Sequence, residues 1–529
     1  MADQGDGNSL LCRLGVANVR PWSYAEFTHH IFTSWRPHRW YGEACGVPGS
    51  GEPVHSSQSL LVFPAKALTP LLGWGDGLDT RAVGILGVLV FGALLTLFVV
   101  LLPGRALFRA LIAALVTLVM ADSVFADFFI SPYSETAAFL GVFAIVIALM
   151  FLWRRDRVDL AGIIAVILAT SFTIAANARM TSVLPVIAVA LLWHPFRRRR
   201  DRAHRPDTAS RAEISPARRA GMALLTRVPA VLAVVALTTF TGLTLAEHPH
   251  RSDEVTLYNA VFTGLLTHSP TPKSDLAWFG LDPSFAQSSG TTMTSGNSAA
   301  LNPRYGEFFD HVSYSALGLF YVTHPARLIS MADRGLTAMS QPELTYLGSY
   351  PVGVGMPAYA KDHRISVIEI LSVLFRVVPL LLVAIQMLAL FLAIAVAMRR
   401  RLGAASVAFG RAVVVTVVLL WTQFWFVMIT QGESELSRQM IVATFASALC
   451  LPFIVALILL LRQNFLLVSS ADEPPGSRAA ARRARRSVRD EIGQPGVHAE
   501  EGADGRRGTL GGPPITVRVD GETHRGVRG

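Results

Sequence analysis

Charge and cysteine are what this 529-residue chain has little of. Asp, Glu, Lys and Arg together make up 16% of it. A soluble domain carries about 25%, so the shortfall excludes an ordinary water-facing surface. Three cysteines exclude a disulfide-rich scaffold and a cysteine-based zinc site. Cys450 lies in an apolar run and reads as a packing residue. Cys12 and Cys45 share one loop, where a disulfide and two free thiols fit equally well. There is no phosphate-binding loop of the GxxxxGKS/T kind, no dinucleotide-binding glycine fingerprint and no stretch between the apolar runs on the basic side large enough for a nucleotide-driven domain, so a reaction on the other side would run without a nucleotide donor. No secretory signal precedes Asp3 or Asp6.

What the chain does have is apolar length. Hydrophobic residues make up 52%, gathered into runs near the roughly 20 residues a helix needs to cross a hydrocarbon core of about 30 Å. The runs are 80–102, 106–125, 135–153, 160–176, 181–193, 222–246, 376–398, 412–430 and 440–461. They predict an all-α polytopic membrane protein with nine visible transmembrane helices. The formal net charge of +10 does not point to nucleic acid. The arginines sit in short loops between runs: Arg105 and Arg109; Arg154, Arg155 and Arg157; Arg197–Arg200 continuing to Arg219; and Arg399–Arg401. If each run crosses once, all of these loops fall on one side, which the positive-inside rule makes cytoplasmic.

The segments then assign themselves. Residues 1–79 form a first extracytoplasmic loop and 80–246 a six-helix bundle with a basic cytoplasmic loop at 194–220. Residues 247–365 form a large extracytoplasmic domain of short amphipathic helices, 366–462 a three-helix bundle, and 463–529 a disordered basic cytoplasmic tail suited to anionic lipid head groups. The parity also requires a tenth helix ahead of Met1 to carry the first loop outward.

Ionisable groups near a hydrocarbon boundary are costly and so mark candidate sites. Here they gather on the extracytoplasmic side. Asp122, Asp127, Tyr133 and Glu135 flank one turn, Asn177 and Arg179 the next, and Glu433, Glu435 and Arg438 the last. The first loop adds Asp6, then Glu26, His29, His30, Arg36 and His38. The large domain opens on Asp253, Glu254, Tyr258 and Asn259. Ser134 with Glu135 also reads simply as a helix start. His324 before Pro325 reads as a helix start too, not as a metal ligand.

Four stretches taken together carry a resemblance. They are Gly5-Asp6-Gly7 with Cys12-Arg13-Leu14-Gly15, Asp122 through Glu135, Tyr258 through Phe262 leading to Ser269-Pro270, and Gly280-Leu281-Asp282-Pro283. In that order they resemble the GT-C class of membrane glycosyltransferases, and within it the bacterial glycan-biosynthesis hexose transferase family. The resemblance covers most of residues 1–460. It implies an inverting hexosyltransferase of the cytoplasmic (inner) membrane, working on its outer face. The donor would be a polyprenyl-phosphate sugar and the acceptor a growing cell-surface glycan. Asp6 is the position that matches the class's general base, with Asp122 and Glu135 as further catalytic candidates. Asp127, Tyr133, Asn177, Arg179, Tyr258, Asn259 and Arg438 would bind substrate, the two arginines meeting the departing phosphate. No cofactor is required, although Asp122 with Asp127 is a pair able to hold a divalent cation. Two other classes stay open: a flippase or other transporter of lipid-linked sugar, and a non-catalytic membrane partner.

Overall fold

The structure is a computed structural model. It describes Leu10, Leu11 and residues 55–471, apart from positions 76, 155–158, 194–215, 248–249, 345–346, 349, 351–354, 358–359, 362 and 434. Asp6, Cys12, Cys45, the first-loop histidines, most of the 194–220 loop and the tail beyond 471 lie outside the described residues. The chain divides into two units, Met1–Phe465 and Leu466–Gly529, and the buried cores lie in the first.

All nine apolar runs are helical, and no strand occurs among the described residues. In chain order the helices are α1 Ser59–Leu71, α2 Thr80–Leu101, α3 Ala106–Met120, α4 Ser123–Phe129, α5 Glu135–Trp153, α6 Leu160–Ile174, α7 Val183–Trp193 and α8 Pro216–Ala246. Then come α9 His250–Asn259, α10 Pro272–Trp278, α11 Gly306–His311, α12 Tyr314–Thr323, α13 Pro325–Met339, α14 Val367–Val377, α15 Pro379–Met398, α16 Ala404–Thr430 and α17 Leu436–Ala471.

The nine apolar runs differ in length as helices. Six helices are long and apolar enough to span: α2, α5, α8, α15, α16 and α17. A seventh span would be α3 with α4, but that pair is bent by 72°. Helix α6 has 15 residues, about 22 Å at a rise of 1.5 Å per residue, short of a full crossing. Residues 178–193 are likewise short. Hydropathy counts apolar residues but does not see where backbone hydrogen bonding stops. It stops at Asp122 and Asn177, whose side chains cap the turns that follow them.

Helix α5 is the axis of the bundle, buried along almost its whole length. Apolar side chains gain little from leaving lipid for protein, so helices in a bilayer associate through close packing. At Gly141 of α5 a Cβ would meet Thr173 Oγ1 of α6 at 2.4 Å; only glycine lets those backbones approach. Phenylalanines fill the rest of the core. Phe139 meets Phe125 and Phe128 edge-on at 5.5 and 5.6 Å, and Phe445 of α17 at 4.9 Å. The opposite faces of the peripheral helices, such as Val88, Leu89 and Leu97 on α2 or Leu388 and Phe391 on α15, stay exposed and suit lipid.

Residues 257–339 build a second core on the ends of α15, α16 and α17, around Tyr258, Phe262, Phe285, Phe308 and Phe320. Of its short helices α13 is strongly two-faced, while α12 is apolar around its circumference. Tyr258 stacks on Phe262 at 4.4 Å. Its buried hydroxyl sits 2.7 Å from Thr291 Oγ1 and accepts from Ser298 Oγ and the Ala299 amide at 3.0 and 2.9 Å.

Candidate functional site

Three chain breaks meet at one end of the bundle. The segment 130–134 leads into α5 at Glu135. After α6, Asn177 accepts from the Arg179 amide at 2.9 Å and starts a 3₁₀ turn over Ala178–Ser182. After α16, the loop 431–435 turns on Gly432 and on Glu435, both at positive φ, and delivers Arg438 on α17.

Their side chains form one network. Glu135 is 1% exposed, and its Oε1 accepts from Arg179 Nη2 at 3.1 Å and from Arg438 Nε at 3.2 Å. Arg179 Nε also donates to Asn177 Oδ1 at 3.0 Å, and Asn177 Nδ2 to Ser134 Oγ at 3.4 Å. Arg438 lies over the Tyr133 ring, 4.3 Å from its centroid, and its Nη1 donates to Glu435 Oε2 at 2.8 Å. Each guanidinium spreads its donors over two acceptors, and Arg438 stacks on a ring as well, contacts that suit guanidinium and not ammonium.

Beside the network opens a cavity of about 600 Å³. Arg179, Arg438, Asn177, Asn259 and Glu435 line it, with Leu10, Ile174, Leu245 and Phe426 supplying apolar wall. Glu135 stands behind the two arginines and is not part of the lining. His55, Glu247 and Asp253 stand along another part of the wall, with His55 and Glu247 3.9 Å apart. Tyr314, also on the wall, donates to the Asp253 carbonyl at 3.4 Å. Burial, and next the Asp253 carboxylate, raise its phenol well above the ordinary value, so it remains a neutral hydroxyl at physiological pH. The chemistry available is charge-assisted binding of an anion at two arginines, with carboxylates and an amide close by.

Six sequence-predicted residues thus converge: Tyr133, Glu135, Asn177, Arg179, Asn259 and Arg438. Three do not. Asp122 is fully buried away from the cavity, where Oδ1 accepts from the Val124 amide at 3.2 Å and Oδ2 from the Ile368 amide at 2.7 Å. It caps α4 and the start of α14 at once, so both oxygens are engaged and the expected catalytic or cation-holding role does not fit. Losing a cap costs about 1 kcal/mol. Asp122→Ala should therefore lower stability by about 2 kcal/mol, seen as a lower melting temperature in detergent. Asp127 lines a separate small cleft with Glu343 and Lys361, and Tyr258 is spent on the second core. Asp6 lies outside the described residues.

Sequence reasoning missed the segment ahead of α1. Ser57 donates its amide to the Ala175 carbonyl at 2.8 Å, Ser56 its hydroxyl to Ala176 at 2.7 Å, and Gln58 Oε1 accepts from the Ala137 amide at 3.1 Å. This polar strap ties the chain to the cavity floor, and nothing in a run of Ser and Gln distinguishes it from a solvated loop. Glu343, His363 and Glu369 bring ligand atoms within 4.8 Å of one another. His363 pairs within that group with Glu369 at 2.7 Å, and Glu343 pairs outside it with Lys361 at 3.1 Å.

A family model described as the YfdI N-terminal transmembrane domain matches residues 1–470. No curated protein and no solved structure matches the chain.

Proposed function

We propose that this chain, which belongs to the YfdI N-terminal transmembrane domain family, is an inverting GT-C-type hexosyltransferase. Its donor is a polyprenyl-phosphate hexose and its acceptor a cell-surface glycan. The observation that carries the reading is the cavity with Arg179 and Arg438 side by side in its wall. A phosphodiester needs just such fixed donors when its bond to the sugar breaks, because negative charge then builds on the phosphate oxygens. The apolar part of the wall suits the first prenyl units. The arginine-rich loops at 105–109, 154–157 and 399–401 support the cavity facing outward, with the basic tail inside.

The reaction balances without a nucleotide. An acceptor hydroxyl attacks the anomeric carbon and gives its proton to a carboxylate. The new C–O bond forms as the bond to phosphate breaks, and polyprenyl phosphate leaves with the electron pair at the arginines. The base we assign is Asp6. Leu10, four residues on, is a cavity-lining residue, and four extended residues reach about 14 Å. A weakly acidic sugar hydroxyl needs such a base, whose removal costs roughly 10²–10⁴-fold.

Membranes containing the protein, supplied with labelled polyprenyl-phosphate hexoses, test this directly. Transfer of label to glycan is expected, falling at least about 100-fold in Asp6→Asn at equal protein level. If no common hexose donor is consumed, the transferase reading is lost. Movement of intact donor across sealed vesicles would instead make the protein a transporter.

A further inference from the structure

We infer that Glu135 is a positioning residue, a buried clamp that holds Arg179 and Arg438 at the spacing and angle in which one phosphate group meets both. The inference rests on the transferase reading for the identity of that phosphate.

Three observations carry it. A general base must stand within hydrogen-bond reach of the proton it takes, yet Glu135 does not line the cavity; the two arginines in front of it do. Its Oε1 already accepts from both guanidiniums, at 3.1 and 3.2 Å. An oxygen so engaged is poorly placed to take a proton from a hydroxyl. The two arginines come from elements 44 and 303 residues away from Glu135 along the chain, so no local geometry sets them side by side. One shared carboxylate oxygen does. Each arginine is only 8% exposed, and without the carboxylate between them two like charges would be left close together in a poorly solvated wall.

The remaining contacts fix direction. Asn177 accepts from Arg179 Nε, while the Tyr133 ring stacks on the Arg438 guanidinium and Glu435 accepts from its Nη1. The second oxygen of Glu135, Oε2, is buried and has no hydrogen-bond partner among the described residues. It gives either guanidinium an acceptor to slide onto when an arriving phosphate draws it toward the cavity, so the carboxylate keeps its hold in both states.

The test uses the full-length protein in detergent with farnesyl phosphate as the binding probe, beside steady-state transfer from a polyprenyl-phosphate hexose. Glu135→Gln keeps the volume but removes the charge. It should weaken farnesyl phosphate binding at least tenfold and raise donor KM by a similar factor, more than it lowers kcat. Glu135→Asp keeps the charge but, one methylene short, cannot reach both arginines, and should weaken binding about threefold by loss of one charge-assisted bond. In an Arg438→Gln background the Glu135→Gln change should cost clearly less than it does in the wild type, because only the Arg179 contact is left to lose and residues acting through one another are not additive. A Glu135→Gln protein that binds the probe like wild type, or that loses kcat with KM and binding unmoved, overturns the clamp. If the glutamine variant does not accumulate, the aspartate variant decides alone, since wild-type binding by it overturns the clamp and weaker binding supports it. The two readings also fail separately. A protein that shows this binding pattern but transfers no sugar loses the transferase reading and keeps the clamp. A working transferase whose Glu135→Gln variant binds normally does the reverse.

Discussion

Arg438→Ala is expected to lower kcat/KM for transfer from a polyprenyl-phosphate hexose by about 100-fold, while the protein still inserts and accumulates. The size follows from what one side chain does in four directions. Arg438 gives Nε to Glu135, gives Nη1 to Glu435, covers the Tyr133 ring, and lines the cavity. Removing one partner of a buried, hydrogen-bonded charge pair costs about 2–5 kcal/mol, and each 1.36 kcal/mol taken from transition-state binding is about a factor of ten in rate. Part of the loss falls on stability, because Glu135 keeps only Arg179. Part falls on the phosphate as it departs. Arg438→Lys separates the two. An ammonium keeps the charge but cannot reproduce a fork that reaches two carboxylates at once. It should recover less than about a tenth of the lost activity if geometry dominates. Full recovery by lysine would show that charge alone matters and that the network around Arg438 is incidental to function.

The cluster around Arg438 was partly legible in the sequence, and the reason is physical. A charged side chain at the edge of an apolar run must find a partner or water. Arginines and carboxylates at successive turns on one side of the membrane therefore tend to find each other. Glu135, Arg179 and Arg438 are residues of that kind, and Asn177 is the neutral polar residue that stands beside them. The same rule misled at Asp122, because a buried carboxylate can also be satisfied by backbone amides, and a sequence does not say which amides will arrive. Here one comes from Ile368, 246 residues away. Tyr258 misled for a similar reason: an aromatic residue with a hydroxyl suits a sugar and suits a domain core equally well.

The spans divide along the same line. Composition suffices to find nine apolar helices, since each is defined by its own residues. Whether a helix runs the full width of a bilayer depends on where it is capped and what packs on it. The 72° bend between α3 and α4 follows from Asp122 capping a new helix inside an uninterrupted apolar run. The strap at 55–58 was illegible because its partners, the Ala175 and Ala176 carbonyls and the Ala137 amide, are backbone groups that any residue would present.

Gly432→Ala should be a strongly damaging single-methyl change. Gly432 holds φ at +68°, a region where a non-glycine residue pays about 1–2 kcal/mol. The space is also taken. A Cβ there would lie 2.3 Å from the Asn259 carbonyl oxygen, 2.5 Å from its carbon and 2.6 Å from Thr263 Oγ1, and the backbone of α9 cannot swing aside as a flexible side chain would. The loop must move instead, and with it everything it carries. Glu433 would lose register with His268 at 2.5 Å, with Arg334, and with Thr263, which holds its amide at 3.1 Å. Beyond it, Glu435 and Arg438 would leave the cavity wall. We expect a loss of about 3 kcal/mol or more in stability, as clashes with fixed backbone cost, and a fall in transfer of about 100-fold or more. Gly73→Ala is the control. Its φ is +72° but nothing among the described residues lies within 4 Å of the added methyl, so it should cost about 1 kcal/mol and spare transfer. Equal melting temperatures for the two variants in detergent would mean that the contact between Gly432 and Asn259 does not hold the loop. A drop confined to Gly432→Ala would establish that the second core fixes the site through that single close approach.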